Sequence, residues 1–218
     1  MQNDPIAESV MATLLARHPA LAACADKITD AYSILRDSIA QGGTVFVCGN
    51  GGSRADADHI IGELSKGFLL KRKLPAELVE SMSEKLGEDA APLCDRLQMG
   101  MRAMLLDAHP ALSSAYANDV DPVMCYAQQL FVMGRENDVV IGLSTSGNAE
   151  NIRNVFKVAG GRGIKRILFT GNRHGKCEQY ADCVIDVPES ETYKIQELHL
   201  PTYHAICIML EEYFYAGK

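Results

Sequence analysis

Apolar positions recur at helical spacing over residues 5–17, where Ile6, Val10, Met11, Leu14 and Leu15 share one face. The His18-Pro19 step interrupts that pattern, because proline disfavours helical backbone in the residue before it. A second helix is expected over about residues 20–40, ending at Gly42-Gly43. The periodicity then changes. Val45-Phe46-Val47-Cys48 is a short continuous apolar run, β-branched and aromatic, and reads as a buried strand. Gly49-Asn50-Gly51-Gly52 follows as a tight turn, and a helix is expected to start at Ser53. Asp56 stands three residues on, the spacing of a capping box.

Residues 75–98 read as amphipathic helix broken at Gly87 and Pro92. Further strands are expected at 103–106, 138–143, 164–170 and 184–187. Between and after them lie helical stretches near 110–117, 122–133, from 148 to about 159, 176–180 and 195–215. Strands alternating with helices predict an α/β fold, a parallel sheet with helices on both faces. Such sheets bind ligands at the carboxyl ends of their strands. Both Gly49–Ser53 and Ser144-Thr145-Ser146-Gly147-Asn148 sit at such an end.

Composition narrows the class. At 218 residues with 47% apolar content, one domain with a real core is expected. A net charge of −7 argues against nucleic acid as a partner. No apolar run is long enough to span a bilayer, and the polar start does not read as a signal peptide. The seven cysteines are scattered without a CxxC pair, as expected of buried thiols in a reducing cytoplasm.

The candidate chemistry lies in three places. A strand, a glycine turn and a helix N-terminus at Gly49–Ser53 form an anion site, because free amides and the helix dipole converge there. The turn is neither a dinucleotide fingerprint nor a P-loop: Arg54 stands where a third glycine would be, and no lysine follows. A plain tight connection is the bland alternative, and Asp56 is read as a cap. The hydroxyls of Ser144, Thr145 and Ser146, with Asn148, suit a phosphate monoester or a sugar. An ordinary polar loop is the alternative there, and two such loops in one sheet favour the ligand. Third, His59 and Glu63 share a helix face at i, i+4 spacing, as a solvated pair or as part of a site. Gln196 and His204 lie about two helical turns apart on the last helix, where Pro201 leaves their common face open. Two imidazoles, a carboxylate and an amide suit zinc or acid–base work. His199 is an alternative to His204.

Taken together, CGNGGSRADADHIIGEL (48–64), Ala117-Asn118-Asp119, GLSTSGNAENI (142–152), Phe169-Thr170-Gly171 and the run from Thr192 through Gln196 to His199, with His204, resemble the sugar isomerase (SIS) domain family. Within it they are most similar to the bacterial phosphoheptose isomerases. The resemblance covers most of the chain. It implies a three-layer α/β/α fold with a five-stranded parallel sheet and a homotetramer with sites at subunit interfaces. It implies conversion of sedoheptulose 7-phosphate to a glycero-manno-heptose 7-phosphate. Residues matching Ser53, Ser144, Thr145 and Ser146 would bind phosphate, with Gly51 and Gly52 in the same turn. Asn50, Asn118, Asp119, Asn148 and Gln196 would lie around the substrate. Glu63 and His204 would be the acid–base pair, and His59, Glu63, Gln196 and His204 could hold zinc. The sequence departs from the family at Ala149, where a serine is frequent, and at Tyr193, where some members carry aspartate. Residues 76–98 read as a helical insertion. Another sugar phosphate as substrate, a non-catalytic binding module and a sugar-phosphate sensor are the alternatives.

Overall fold

The computed structural model describes residues 4–107 and 109–217. Ala108, in the turn expected before Pro110, lies outside them. Five strands form one sheet in the order β2-β1-β3-β4-β5. They are β1 (Val45–Gly49), β2 (Ala103–Leu105), β3 (Val139–Leu143), β4 (Lys165–Gly171) and β5 (Cys183–Val187). Every neighbouring pair is parallel. The central strands β1 and β3 are buried along their whole length, which is why they read as continuous apolar runs rather than alternating ones.

The strand period of two divides the core. Val45 and Val47 face one layer, packed with residues of α1 (Pro5–Arg17), α2 (Ala25–Ala40), α3 (Gly52–Ser65) and α9 (Thr192–Tyr215). Phe46 and Cys48 face the other, with α7 (Cys125–Met133) and α8 (Glu150–Gly161). The result is a three-layer α/β/α arrangement. The N-terminal arm packs on the core: Ala7, Met11 and Leu14 of α1 are buried in the α9 layer.

The chain leaves β1 for the edge strand β2 and returns to β3 on the other side of β1. That reversal opens a crevice between the carboxyl ends of β1 and β3. Their register pairs Gly49 with Leu143, so the turns that follow them start side by side.

Three local expectations are corrected. The capping box at Ser53 does not form. Gly51 is the N-cap and Ser53 lies inside α3, because Gly51 adopts a φ of 56° that a glycine reaches at little cost. Asp56 is free to bond elsewhere. Pro92 does not break a helix, since it sits in the first turn of the short α5 (Ala90–Cys94), where its missing N–H costs nothing. The last helix starts at Thr192 and runs through Pro201, with the Thr202 hydroxyl donating to the Leu198 carbonyl beside the proline. The expected helical insertion forms as α4 (Ala76–Leu86) and α5, with α4 burying none of its residues and Leu78, Leu86, Leu93 and Leu97 exposed. The remaining helix is α6 (Pro110–Asp119).

Candidate active site

The turns after β1 and β3 line one cleft of about 360 Å³, formed by Asn50, Gly51, Gly52, Ser53, Leu143, Ser144, Thr145, Ser146, Ala149, Thr192 and Gln196. Three helices begin at its walls. Gly52 opens α3, Ala149 is the N-cap of α8 and Thr192 opens α9. None of these N-termini is capped by the side chain of its N-cap residue, so first-turn amides remain available, apart from that of Ile152, which donates to the Asn151 side chain at 3.0 Å. Converging N–H groups and dipoles create a positive potential without a basic residue in the lining. Ser53 and Ser144 are buried in the walls, and Ser146 is exposed at the rim. The Ser144 hydroxyl accepts from the Ala149 amide at 3.4 Å, holding the loop closed on itself.

Asn50 lines the cleft and locks its two loops together. Its amide donates to Asn151 at 3.0 Å and accepts in return at 2.8 Å. Tyr126 adds a hydroxyl donated to the Gly49 carbonyl at 3.1 Å. Gln196 donates to the Ser53 hydroxyl at 3.3 Å. Thr192, Asn151 and Tyr126 were not singled out from sequence as site residues. Thr192 carried a readable signal, as a hydroxyl at a helix start, once the start of α9 is placed there.

The other expected cleft residues stand apart. Asn148 is exposed, and its side chain donates to the Ser146 carbonyl and accepts from the Lys176 amide. It shapes the loop instead of lining the cleft. Asn118 and Asp119 end α6, exposed and bonded to each other at 2.8 Å. They are not in the lining, because α6 packs against α7 rather than over the β1–β3 crevice.

One helical stretch farther along α3 and α9, the acid–base candidates meet. His59 Nε2 is 3.1 Å from a Glu63 carboxylate oxygen, and the Lys66 ammonium donates to the other oxygen at 3.1 Å. The His59 and His204 rings are edge to face, 5.0 Å between centroids. His204 also packs on Phe68 at 5.4 Å. Burial, reinforced by the neighbouring His59, holds the His204 imidazole below its ordinary pKa, against the pull of Glu63. Its Nε2 is buried without a hydrogen-bond partner. His204 lines a separate apolar groove of about 400 Å³ between α1 and α9, with Leu14, Leu69 and Pro201 among its walls. His199 points away from this group. It is fully buried under β4, with Nε2 3.3 Å from the Thr170 carbonyl.

The donor types suit zinc, but the side chains do not close on one point. Among the described residues no group of three or more His, Cys, Asp or Glu is placed to hold a metal ion. His59 and Glu63 are bonded to each other, and the Gln196 amide is turned to Ser53. The four-ligand set expected from sequence is thus not assembled.

Family models described as SIS domain match residues 11–91 and 125–211. A phosphoheptose isomerase of Burkholderia pseudomallei (strain K96243) is 36% identical over 205 residues, covering 94% of this chain and 89% of that protein. One from Helicobacter pylori (strain P12) is 28% identical over 214 residues, covering 98% of each. The solved phosphoheptose isomerase of Neisseria gonorrhoeae superposes with a TM-score of 0.71 at 26% identity, covering 92% of this chain and 94% of that one.

Proposed function

The chain belongs to the phosphoheptose isomerases of the SIS-domain family, and from that premise we propose that it interconverts sedoheptulose 7-phosphate and an aldoheptose 7-phosphate. The observation that carries the reading is the pairing of two groups on the same two helices. The cleft of helix N-termini suits a phosphate. Six residues on from Ser53, a rise of ~9 Å along α3, stands His59 with Glu63 and His204. A sugar phosphate anchored at the first group extends toward the second.

The chemistry follows from the residues. Aldose–ketose exchange needs a base at the carbon beside the carbonyl and a proton carrier between the two oxygens. Glu63 takes the proton from C1 of the ketose as His204 protonates the C2 oxygen, giving an enediol. His204 then takes the C1 hydroxyl proton, and Glu63 returns its proton to C2. Both groups end as they began. The Nε2 of His204, buried with no partner in the protein, supports this role, since it is left free for a sugar oxygen.

Zinc is proposed as a ligand of His59, Glu63, Gln196 and His204 only after the His59–Glu63 bond opens, and no step above depends on it. A homotetramer with dihedral symmetry is proposed as the assembly. The apolar groove at His204 and the exposed leucines of α4 and α5 support self-association. The free thiols and the phosphorylated substrate support a cytoplasmic setting.

The test is a panel of ketose phosphates assayed for aldose formation, with deuterium exchange into the sugar in D₂O. Sedoheptulose 7-phosphate should react best, and Glu63→Gln should lose roughly 10²–10⁴-fold in kcat. Wild-type exchange in Glu63→Gln would remove Glu63 as the base. Light scattering that finds a fully active monomer would remove the tetramer.

A further inference from the structure

Tyr203 follows from neither turn of the cleft and belongs to none of the motifs discussed above, yet it stands at the centre of the proton-transfer group. It is buried on α9, one residue before His204. Its hydroxyl is 3.0 Å from His59 Nδ1 and 3.3 Å from a carboxylate oxygen of Asp56. Its ring lies edge to face on both histidines, at 5.5 Å from His59 and 4.9 Å from His204.

Resting on the isomerase reading, we infer that Tyr203 is a positioning residue: its hydroxyl holds the His59 ring in the orientation and tautomer that present an N–H to Glu63. The argument is one of donors and acceptors. The His59 side chain is 43% exposed, so packing alone does not stop its ring from flipping. Both ring nitrogens nevertheless have partners. The Glu63 carboxylate only accepts, so Nε2 facing it at 3.1 Å carries the hydrogen. In that tautomer Nδ1 is a bare lone pair, and the Tyr203 O–H is the donor that meets it. Asp56 competes for the same phenol hydrogen at the longer distance. A flipped ring would set carbon atoms against the carboxylate and the phenol and lose both bonds, and the other tautomer would set a bare nitrogen against the carboxylate.

Tyr203→Phe deletes one oxygen and keeps the ring stack. With imidazole ¹⁵N-labelled histidine and the protein kept free of zinc by a chelator, wild-type His59 should show the Nε2–H tautomer, and Tyr203→Phe should show a tautomer mixture. Its kcat should fall about tenfold, the scale of one hydrogen bond, with KM within twofold. A wild-type His59 in the Nδ1–H form overturns the inference whatever the variant does. So does a Tyr203→Phe enzyme with wild-type kcat and an unchanged spectrum. Glu63→Gln in the same assay separates the two levels. If it is inactive while Tyr203→Phe matches wild type, the isomerase reading stands and Tyr203 positions nothing. If Glu63→Gln is fully active, the reading itself fails.

Discussion

Gln196 donates its side-chain amide to the hydroxyl of Ser53 across 143 residues of sequence, at 3.3 Å. The bond ties the start of α9 to the first turn of α3, and those segments form two walls of the cleft. The same two helices carry His204 and His59 to their ring contact. One helix pair thus sets both ends of the site.

Gly52 tests that joint. A Cβ at Gly52 would stand 2.7 Å from the Gln196 amide nitrogen, the far end of a flexible side chain. Gly52→Ala should therefore fold with stability close to wild type while Gln196 moves off Ser53. The expected reading is a raised KM for the sugar phosphate at unchanged melting temperature.

Ser144 and Ser146 supply hydroxyls to the cleft. Replacing both with alanine should raise KM, with each lost bond to a phosphate oxygen costing about 1.5–3 kcal/mol. Steady-state kinetics checks this, and an unchanged KM in the folded double variant removes the hydroxyls from phosphate binding.

Zinc is separable from catalysis by its effect on stability. A ligand that binds only the folded state raises the melting temperature in proportion to the logarithm of its concentration. After chelator treatment, added zinc should raise the melting temperature of wild type and leave His59→Ala unmoved. No rise in wild type removes the metal from the proposal.

His199 sets a pH limit on the fold. Burial drives its pKa from 6.5 down to about 4, opposed by its bond to the Thr170 carbonyl. The folded state holds the neutral ring, so this contribution is whole above pH 6.5 and is lost as pH falls toward 4. The span corresponds to roughly 3 kcal/mol. Urea midpoints should drop between pH 7 and 4.5, and His199→Gln should drop less over the same range.

Arg72 and Glu211 form an ion pair with both side chains fully buried. Glu211 accepts from the amides of Phe68, Leu69 and Leu70, and these bonds with Arg72 hold its pKa low despite burial. Arg72 also donates to the carbonyls of Glu63 and Leu64, closing the end of α3. Arg72→Met leaves a charge unpaired inside the protein and should cost about 3–5 kcal/mol by chemical denaturation.

The sequence by itself determined the layers and the turns. Short apolar runs rich in β-branched residues and followed by glycine turns suit strands buried on both faces, and so β1 and β3 were legible in Val45–Cys48 and Val139–Leu143. Glycine and hydroxyl runs after them marked the cleft, because local backbone chemistry needs no distant partner. The i, i+4 relation of His59 and Glu63 is likewise local and was legible. Where local signals competed, reading failed: Ser53 with Asp56 spelled a cap, but Gly51 took the cap and Asp56 turned to Tyr203. Only the tertiary structure decided which distant residues meet. Strand order placed the β1 and β3 turns side by side and left Asn118 and Asp119 outside the cleft. The packing of α9 on α3 chose His204 over His199 and brought in Tyr203, since one helix face can touch α3 while the other is buried under β4. Helix periodicity states which residues share a face. The partner that face meets is fixed by the burial of the whole core.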